Sequence, residues 1–213
     1  MNIYQDIKNN NKIYLIFGGF GSQPHHFTPF FPDNLIIIYH YQHLNFTPLE
    51  NLLTSLTSEQ TEVEIYAFSM GVWVANLFLQ NYNPLIFTKK TAINGTEFGI
   101  DNTYGIPLKA FKLTQKIFNL EHFKTNLLGQ HSYKAQHLSF LDEESLKKEL
   151  GFFISNHKAF QQGSTWDKVI ISKADLIFST SAQKSFWIDF KGYQKQILWL
   201  DSPHFVFFDW KFL

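Results

Sequence analysis

The stretch Glu64-Ile-Tyr-Ala-Phe-Ser-Met-Gly-Val-Trp-Val-Ala75 decides the fold. An apolar run typical of a buried strand leads directly into Ser69, and an amphipathic helix starts at the next residue. This order is that of the nucleophile elbow, a sharp turn that exposes a serine hydroxyl above a sheet. The turn needs small residues two positions on either side of the serine. Gly71 satisfies this, whereas Ala67 stands where glycine is usual. A serine that merely caps a helix is the alternative, and the flanking strand argues against it.

Apolar runs on both sides of this elbow predict a mostly parallel, doubly wound sheet. Continuous runs suit strands covered on both faces, and helical patterns lie between several of them. The predicted strands are Ile13–Phe17, Leu35–Tyr39, Glu64–Phe68, Thr91–Asn94, Val169–Ser172 and Ile197–Leu200, and the predicted helices between them are Pro48–Ser58, Met70–Gln80 and Ser181–Phe190. A length of 213 residues suits one such domain, so we expect a single α/β-hydrolase domain over residues 1–213.

One interval between predicted strands, that from Asn94 to Val169, is too long for a simple crossover. It contains helical patterns over Pro107–Leu120 and Leu141–Phe153. An insertion at this point of a doubly wound sheet would lie above the carboxyl ends of the strands, where ligands bind. We therefore predict a core of residues 1–96 and 165–213 and a helical cap at about residues 97–164. Extra packing on one sheet edge is the alternative.

Residues for a catalytic triad follow in the order serine, acid, histidine, which is typical of this fold. His204 lies just beyond the last predicted strand, and the other eight of the nine histidines precede that strand. Asp175 follows the preceding strand and is the expected partner that orients the imidazole. Asp201 is the main rival, but it shares the short loop of His204. Asp142 and Glu143, in the predicted cap, rank below both.

The loop Phe17-Gly-Gly-Phe-Gly-Ser22 follows the first predicted strand. Glycines let a backbone approach a ligand closely, and hydrolases of this class take one oxyanion amide from such a loop. We expect the second from the residue after the nucleophile, so the predicted donors are the amides of Phe20 and Met70. A phosphate-binding loop fits less well, because a Gly-Lys-Ser/Thr ending and a GxGxxG spacing are both missing.

Composition excludes several other functions. Formal net charge is zero and all 18 basic residues are lysines, so nucleic acid is not an expected partner. With no cysteine, the chain has no thiol nucleophile and no cysteine-ligated metal site. The polar start of the sequence does not resemble a signal peptide, and no apolar run is long enough to span a membrane. We expect a cytoplasmic protein.

Five motifs together resemble the BioG type of pimeloyl-acyl-carrier-protein methyl ester esterase. These are Phe17-Gly-Gly-Phe-Gly21, Ala67-Phe-Ser-Met-Gly-Val-Trp73, Ala92-Ile-Asn-Gly-Thr96, Lys173-Ala-Asp-Leu-Ile-Phe178 and Ser202-Pro-His-Phe205. The resemblance implies a biotin-synthesis esterase that releases methanol from the methyl ester of pimeloyl-acyl-carrier protein, without metal or other cofactor. The family's catalytic residues carry over onto Ser69, His204 and Asp175, and its oxyanion amides onto Phe20 and Met70.

The substrate of such an enzyme predicts two further features. A seven-carbon acyl chain needs an apolar tunnel, for which Phe20, Phe68, Phe111 and Phe152 are candidates. Core packing is the alternative for each. Carrier protein is acidic, so a basic docking rim is expected, and lysines recur at helical spacing on one face of the first cap helix. These are Lys109, Lys112 and Lys116.

Two other functions stay open from the sequence. One is a general short-chain carboxylesterase or thioesterase on the same fold. The other is a non-catalytic, hydrolase-like binding protein, for which Ala67 is the support. For each of these functions, and for the carrier-protein esterase, we expect a monomer.

Overall fold

The strands assemble into one sheet in the computed structural model, which describes residues 1–9, 11–58, 60–82, 84, 86–158 and 163–209. Within these ranges the sheet has seven strands in the order β1-β3-β2-β4-β5-β6-β7. They are β1 (Asn2–Asp6), β2 (Lys12–Phe17), β3 (Leu35–Tyr39), β4 (Glu62–Phe68), β5 (Phe87–Ile93), β6 (Lys168–Ser172) and β7 (Ile197–Leu200). All neighbours pair in parallel except β1 and β3. The predicted mostly parallel sheet is confirmed.

The chain reverses its direction of winding between β2 and β4. From β2 it moves outward to β3, and from β3 it returns past β2 to β4 and continues to β7. In an open parallel sheet, such a reversal leaves a crevice beyond the carboxyl ends of the two central strands. The loop after β2 and the elbow after β4 therefore meet in this crevice.

Strand β1 was not predicted from the sequence. It is an edge strand that pairs antiparallel with β3, from Asn2 opposite Tyr39 to Asp6 opposite Leu35. Its side chains are exposed or half-buried, so its sequence lacks the continuous apolar run that marks a central strand. Polar residues on an edge strand also discourage pairing with other chains.

Outside the interval between β5 and β6, the described residues form three α-helices, as the sequence predicts. Within that interval they form three α-helices where the sequence predicts two helices. Those described are α1 (Thr47–Leu56), α2 (Met70–Asn81), α3 (Leu108–Lys116), α4 (Leu120–Leu128), α5 (Glu143–Asn156) and α6 (Thr180–Lys184). The last of these continues as a π-helical segment over Ser185–Phe190. Among the described helices, none is both long enough and apolar enough to cross a lipid bilayer.

Helices α3, α4 and α5 lie between β5 and β6, and we call them the cap helices. The sequence predicts one helix over Pro107–Leu120, but α3 ends at Lys116 and α4 begins anew. The break is explained by Asn119, whose side chain accepts a hydrogen bond from the His122 amide (2.8 Å) and so caps α4. Phe118, between the two helices, turns into the interior and is 6% exposed.

Apolar side chains cover the sheet on both faces, as its continuous apolar runs require. Alternate strand residues point to opposite sides, so Leu15 and Phe17 join one buried cluster and Ile16 joins the other. Helices α1 and α2 contribute to the first cluster, and the end of α4 to the second. The sheet is thus fixed between two apolar layers.

Candidate active site

Ser69 stands between the end of β4 and the start of α2. Its backbone angles are φ 57° and ψ −126°, which residues with a side chain rarely adopt. The Ser69 amide donates to the carbonyl of Ile93 at the end of β5 (2.8 Å), and the Ser69 carbonyl accepts from the Val72 amide in α2 (3.0 Å). The strained turn is therefore held from both sides.

Three glycines pack against this turn too closely for any side chain. A Cβ atom on Gly71 would lie 2.1 Å from the carbonyl oxygen of Phe17. One on Gly95 would lie 2.2 Å from the carbonyl oxygen of Ser69, and one on Gly19 would lie 2.8 Å from the Ser69 Cβ. The elbow and the loop after β2 consequently touch through backbone.

His204 lies in the loop after β7, and its side chain is 1% exposed. Its Nδ1–H donates to Oδ2 of Asp175 at 2.7 Å, so the Nε2 atom is the one left free to accept a proton. The ring of Phe68, the residue before Ser69, lies 4.9 Å from the imidazole. Ser69 and His204 line the same cavity.

The Asp175 carboxylate is fixed by further donors. Its Oδ1 accepts from the amides of Ile177 (2.9 Å) and Phe178 (2.8 Å), and its Oδ2 accepts from the side-chain amide of Gln183 (3.3 Å). These bonds come from the turn after β6 and from α6. They hold the carboxylate in the orientation that meets the imidazole.

The rival acids lie elsewhere. Asp201 is exposed and pairs with Lys173 (2.9 Å). Asp142 caps the start of α5, and Glu143 accepts from the amide of Leu120 (2.9 Å). Each of these carboxylates therefore has a partner away from His204.

Asn94 follows β5 and holds the histidine loop, a role that the sequence did not reveal. It is fully buried and has φ 49°. Its Nδ2 donates to Ser172 Oγ (2.8 Å) and to the carbonyl of His204 (2.6 Å), while its Oδ1 accepts from the Ser172 amide (2.8 Å). The Phe205 amide donates to the carbonyl of Leu127 in α4 (2.9 Å). The histidine loop is thus tied to both the sheet and the cap helices.

The two residues predicted to supply oxyanion amides line the same cavity. Phe20 and Met70 both line it, and among the described residues neither amide has a hydrogen-bond acceptor. Met70 opens α2, and the first amides of a helix have no partner within the helix. Both residues therefore meet Ser69 at one cavity, and the oxyanion role of their amides stays a prediction.

The cavity above the elbow has a volume of about 280 Å³ and mainly apolar walls. It is enclosed by residues of the sheet loops and of the cap helices, which include Phe20, Phe68, Ser69, His204, Phe111, Phe118, Phe123 and Leu150. Its most exposed apolar lining residues are Leu113, Ile117 and Leu176, which are 55%, 64% and 66% exposed. The cavity thus reaches the surface at a mouth between α3 and the turn after β6.

Phe152 is the one predicted wall residue that does not line the cavity. On α5 the buried positions are Leu146, Glu149, Leu150 and Phe153, and Leu150 is the one that reaches the cavity. Phe152 lies on a different face of the helix and packs, half-buried, beside Phe153 with ring centroids 5.6 Å apart. Helical phase explains the error.

The lysines predicted as a docking rim, Lys109, Lys112 and Lys116, are all exposed on α3. Within the described residues none of them has a carboxylate partner. They stand on the helix that carries Leu113 and ends just before Ile117, so positive charge borders the apolar mouth of the cavity.

A buried acid, Glu149 of α5, also contacts the loop after β2. Its Oε2 accepts from the Gly21 amide (3.2 Å) and its Oε1 from the Tyr41 amide (3.0 Å). Burial raises its pKa to about 7. Its position among Leu146, Leu150 and Phe153 was a sequence signal for a buried acid. In the described part of the chain, no three His, Asp or Glu side chains converge as metal ligands.

Comparisons with known proteins show the family of this chain and its fold. The family model described as "Pimeloyl-ACP methyl esterase BioG" matches residues 1–212. A protein of Bacteroides fragilis named "Malonyl-[acyl-carrier protein] O-methyltransferase" is 32% identical over 200 residues, and the match covers 90% of this chain but only 39% of that protein. The chain therefore corresponds to about two-fifths of that relative.

Solved structures show the same architecture. BioG from Haemophilus influenzae superposes with a TM-score of 0.81 at 23% identity, covering 99% of this chain and 96% of that one. A bromoperoxidase from Bacillus anthracis has a TM-score of 0.66 at 12% identity, covering 96% and 88% of the two chains. The α/β-hydrolase fold expected from the sequence is confirmed.

Proposed function

This chain belongs to the BioG family of pimeloyl-acyl-carrier-protein methyl esterases, and we propose that it hydrolyses the methyl ester of a carrier-bound pimeloyl chain during biotin synthesis. The observation that carries the proposal is a strained serine and a histidine–aspartate pair at one apolar cavity. Ser69 and His204 line that cavity, and Asp175 accepts from the histidine.

The proposed reaction proceeds through an acyl-enzyme. His204 Nε2 removes the proton of the Ser69 hydroxyl, and Oγ attacks the ester carbonyl. The tetrahedral oxyanion accepts from the amides of Phe20 and Met70. His204 then protonates the departing methoxide, and methanol leaves. Water activated by the same imidazole cleaves the acyl-enzyme, which frees the pimeloyl carboxylate and restores the serine.

Asp175 acts on the histidine alone in this scheme. It keeps the hydrogen on Nδ1 and stabilises the imidazolium that forms during each proton transfer. Its own position is secured by the Ile177 and Phe178 amides and by Gln183. The imidazole therefore needs no reorientation between the two half-reactions.

The size and apolar walls of the cavity suit an acyl chain of the proposed length. An acyl chain of seven carbons can lie along the apolar walls formed by Phe20, Phe111 and Phe118, with its far end at the mouth near Leu113 and Ile117. A carrier arm attached at that end leaves the cavity beside α3. The lysines of α3 are then positioned to contact an acidic carrier protein.

Replacement of the nucleophile is the first test. Ser69→Ala removes Oγ while keeping the turn, so ester cleavage should fall by about 10⁶-fold with unchanged circular dichroism. Labelling of wild type, but not of Ser69→Ala, by a fluorophosphonate probe identifies the reacting serine. Complementation of a biotin-requiring strain that lacks its own esterase tests the physiological substrate. Undiminished ester cleavage by Ser69→Ala would overturn the mechanism.

The docking surface is tested separately from the chemistry. Charge reversal at Lys109, Lys112 and Lys116 should lower kcat/KM for the carrier-bound ester and leave that for a small soluble ester unchanged. Lys195→Glu, an exposed lysine near the opposite end of the strands, is the matched control. Equal losses on both substrates would show that these lysines do not recognise the carrier.

A further inference from the structure

Glu149 is a cap-helix carboxylate that is fully buried and bound by backbone amides. Its two oxygens accept from Tyr41 and Gly21, in the loops after β3 and β2. Burying a carboxylate is costly. The ionisable side chain beside it is His40, with Nδ1 3.9 Å from Oε2, and burial lowers the pKa of that imidazole. A neutral side chain would fill this position without that cost.

The partners of Glu149 form a closed network around the oxyanion loop. The Tyr41 hydroxyl donates to the carbonyl of Gly18 (2.9 Å), while Glu149 accepts from Gly21. Gly18 and Gly21 are the two ends of the segment that contains Phe20. The left-handed conformation of Gly21, φ 70°, is therefore fixed by a bond from the cap helix.

We propose that Glu149 is a positioning residue for the esterase reaction: with Tyr41, it holds the Gly18–Gly21 segment so that the Phe20 amide faces the developing oxyanion. The inference rests on the proposed function, because it assigns that amide a role in the reaction. It also gives the cap helices a second task, since α5 then supports the oxyanion hole besides covering the cavity.

Ionisation of this carboxyl controls the network. A carboxylate offers acceptors to both amides, whereas the protonated acid turns one oxygen into an O–H donor and leaves one amide poorly satisfied. The titratable groups that face it are His40, Tyr41 and the α-amino group of Met1. Because burial raises the pKa of Glu149 to about 7, the loop is held more firmly as the pH rises through neutrality.

The test is Glu149→Gln, which keeps the size of the side chain but replaces one acceptor by an NH₂ donor. We expect kcat on p-nitrophenyl butyrate to fall about 10–100-fold, less than the 10²–10³ for loss of a whole oxyanion donor, with KM within about twofold of wild type. We also expect the acid limb of log(kcat/KM) to be less steep in Glu149→Gln than in wild type, because glutamine removes the group whose pKa is raised to about 7.

Two other variants complete the experiment. Glu143→Gln, on the same helix and also bound to a backbone amide, should keep wild-type kcat. Tyr41→Phe removes the hydrogen bond to Gly18 without changing the ring, and it should lower kcat about 3–10-fold with unchanged KM. If Glu149→Gln fails to fold, Tyr41→Phe alone tests whether the network positions the Phe20 amide. Wild-type kcat and an unchanged acid limb in Glu149→Gln would overturn the inference, and so would wild-type kcat in Tyr41→Phe if only that variant folds. A wild type with no esterase activity and no fluorophosphonate labelling would instead overturn the proposed function.

Discussion

Replacing Glu149 by glutamine should change the pH dependence of stability in a calculable way. In the native state the pKa of this acid is raised from 4.5 to about 7 because the side chain is fully buried. Between these two pH values the unfolded chain releases the proton while the native state keeps it. The free energy of unfolding of wild type therefore falls as the pH rises through this interval.

The size of the effect follows from the interval. Each pH unit corresponds to about 1.4 kcal/mol of differential proton binding, so wild type should lose about 3 kcal/mol between pH 4.5 and pH 8 through this one group. Glutamine does not titrate, and Glu149→Gln should lack the loss. The difference in unfolding free energy, variant minus wild type, should rise by about 3 kcal/mol over the same range.

Urea unfolding at several pH values between 4.5 and 8 measures this difference. Equal m-values in the two proteins would show that the unfolded states are comparable. Other groups titrate in both proteins and cancel, except for two that face Glu149: His40 and the α-amino group of Met1, whose pKa burial lowers and the Glu149 charge raises. Repeating the comparison in a His40→Gln background with an acetylated N-terminus removes both contributions. A difference that stays flat within about 0.5 kcal/mol would refute the reasoning, since it would mean that the acid does not carry a raised pKa.

Three further substitutions test how the site is held. Asp175→Asn should keep the fold, because its Oδ1 can still accept from two backbone amides, but lower kcat about 10⁴-fold by leaving the imidazole in the wrong tautomer; kinetics on p-nitrophenyl butyrate measure this. Asn94→Ala should lower the free energy of unfolding by about 2–4 kcal/mol, because it leaves buried partners in the β6 end and the histidine loop unsatisfied, and urea titration measures the change. Gly71→Ala should prevent folding, because its Cβ would lie 2.1 Å from a backbone carbonyl. Gly192→Ala has open space around the Cβ but φ 72°, so it should lower the free energy of unfolding by only about 1 kcal/mol. Soluble yield and circular dichroism compare the two variants.

Much of the sheet could be predicted because most of its strands contain a continuous apolar run, both in the largely buried strand β3 and in the half-buried edge strand β7. Leu35–Tyr39 and Ile197–Leu200 have the same bounds in the sequence prediction and in the structure. Strand β5 begins four residues earlier than predicted, at Phe87 rather than Thr91, because its first half contains two lysines and resembles a loop. Strand β1 was missed because pairing with β3, and not burial of its own side chains, keeps it in the sheet.

The residues at the cavity were easier to predict than those that support them. Ser69, Asp175 and His204 each follow a recognisable strand, so topology alone brings them to one edge of the sheet. Asn94, Gln183 and Glu149 act through partners that lie 78 to 128 positions away, or on an adjoining turn, and no local pattern specifies those partners. Their roles depend on tertiary contacts that exist only once the chain has folded.

Two buried glutamates illustrate how partners, and not burial, decide what an acid can do. Glu97 and Glu149 are both completely buried, and burial raises the pKa of each. Glu97, however, pairs with Lys191 (3.2 Å) and accepts from the indole of Trp166 (2.8 Å), so its charge is compensated and it joins the loop before β6 to the end of the π-helical segment. Glu149 accepts its hydrogen bonds from backbone amides, which carry no positive charge to compensate that of the carboxylate. An uncompensated carboxylate lowers the free energy of unfolding near neutral pH. Such a loss is expected where the carboxylate holds a loop beside a nucleophile and the site requires a fixed geometry.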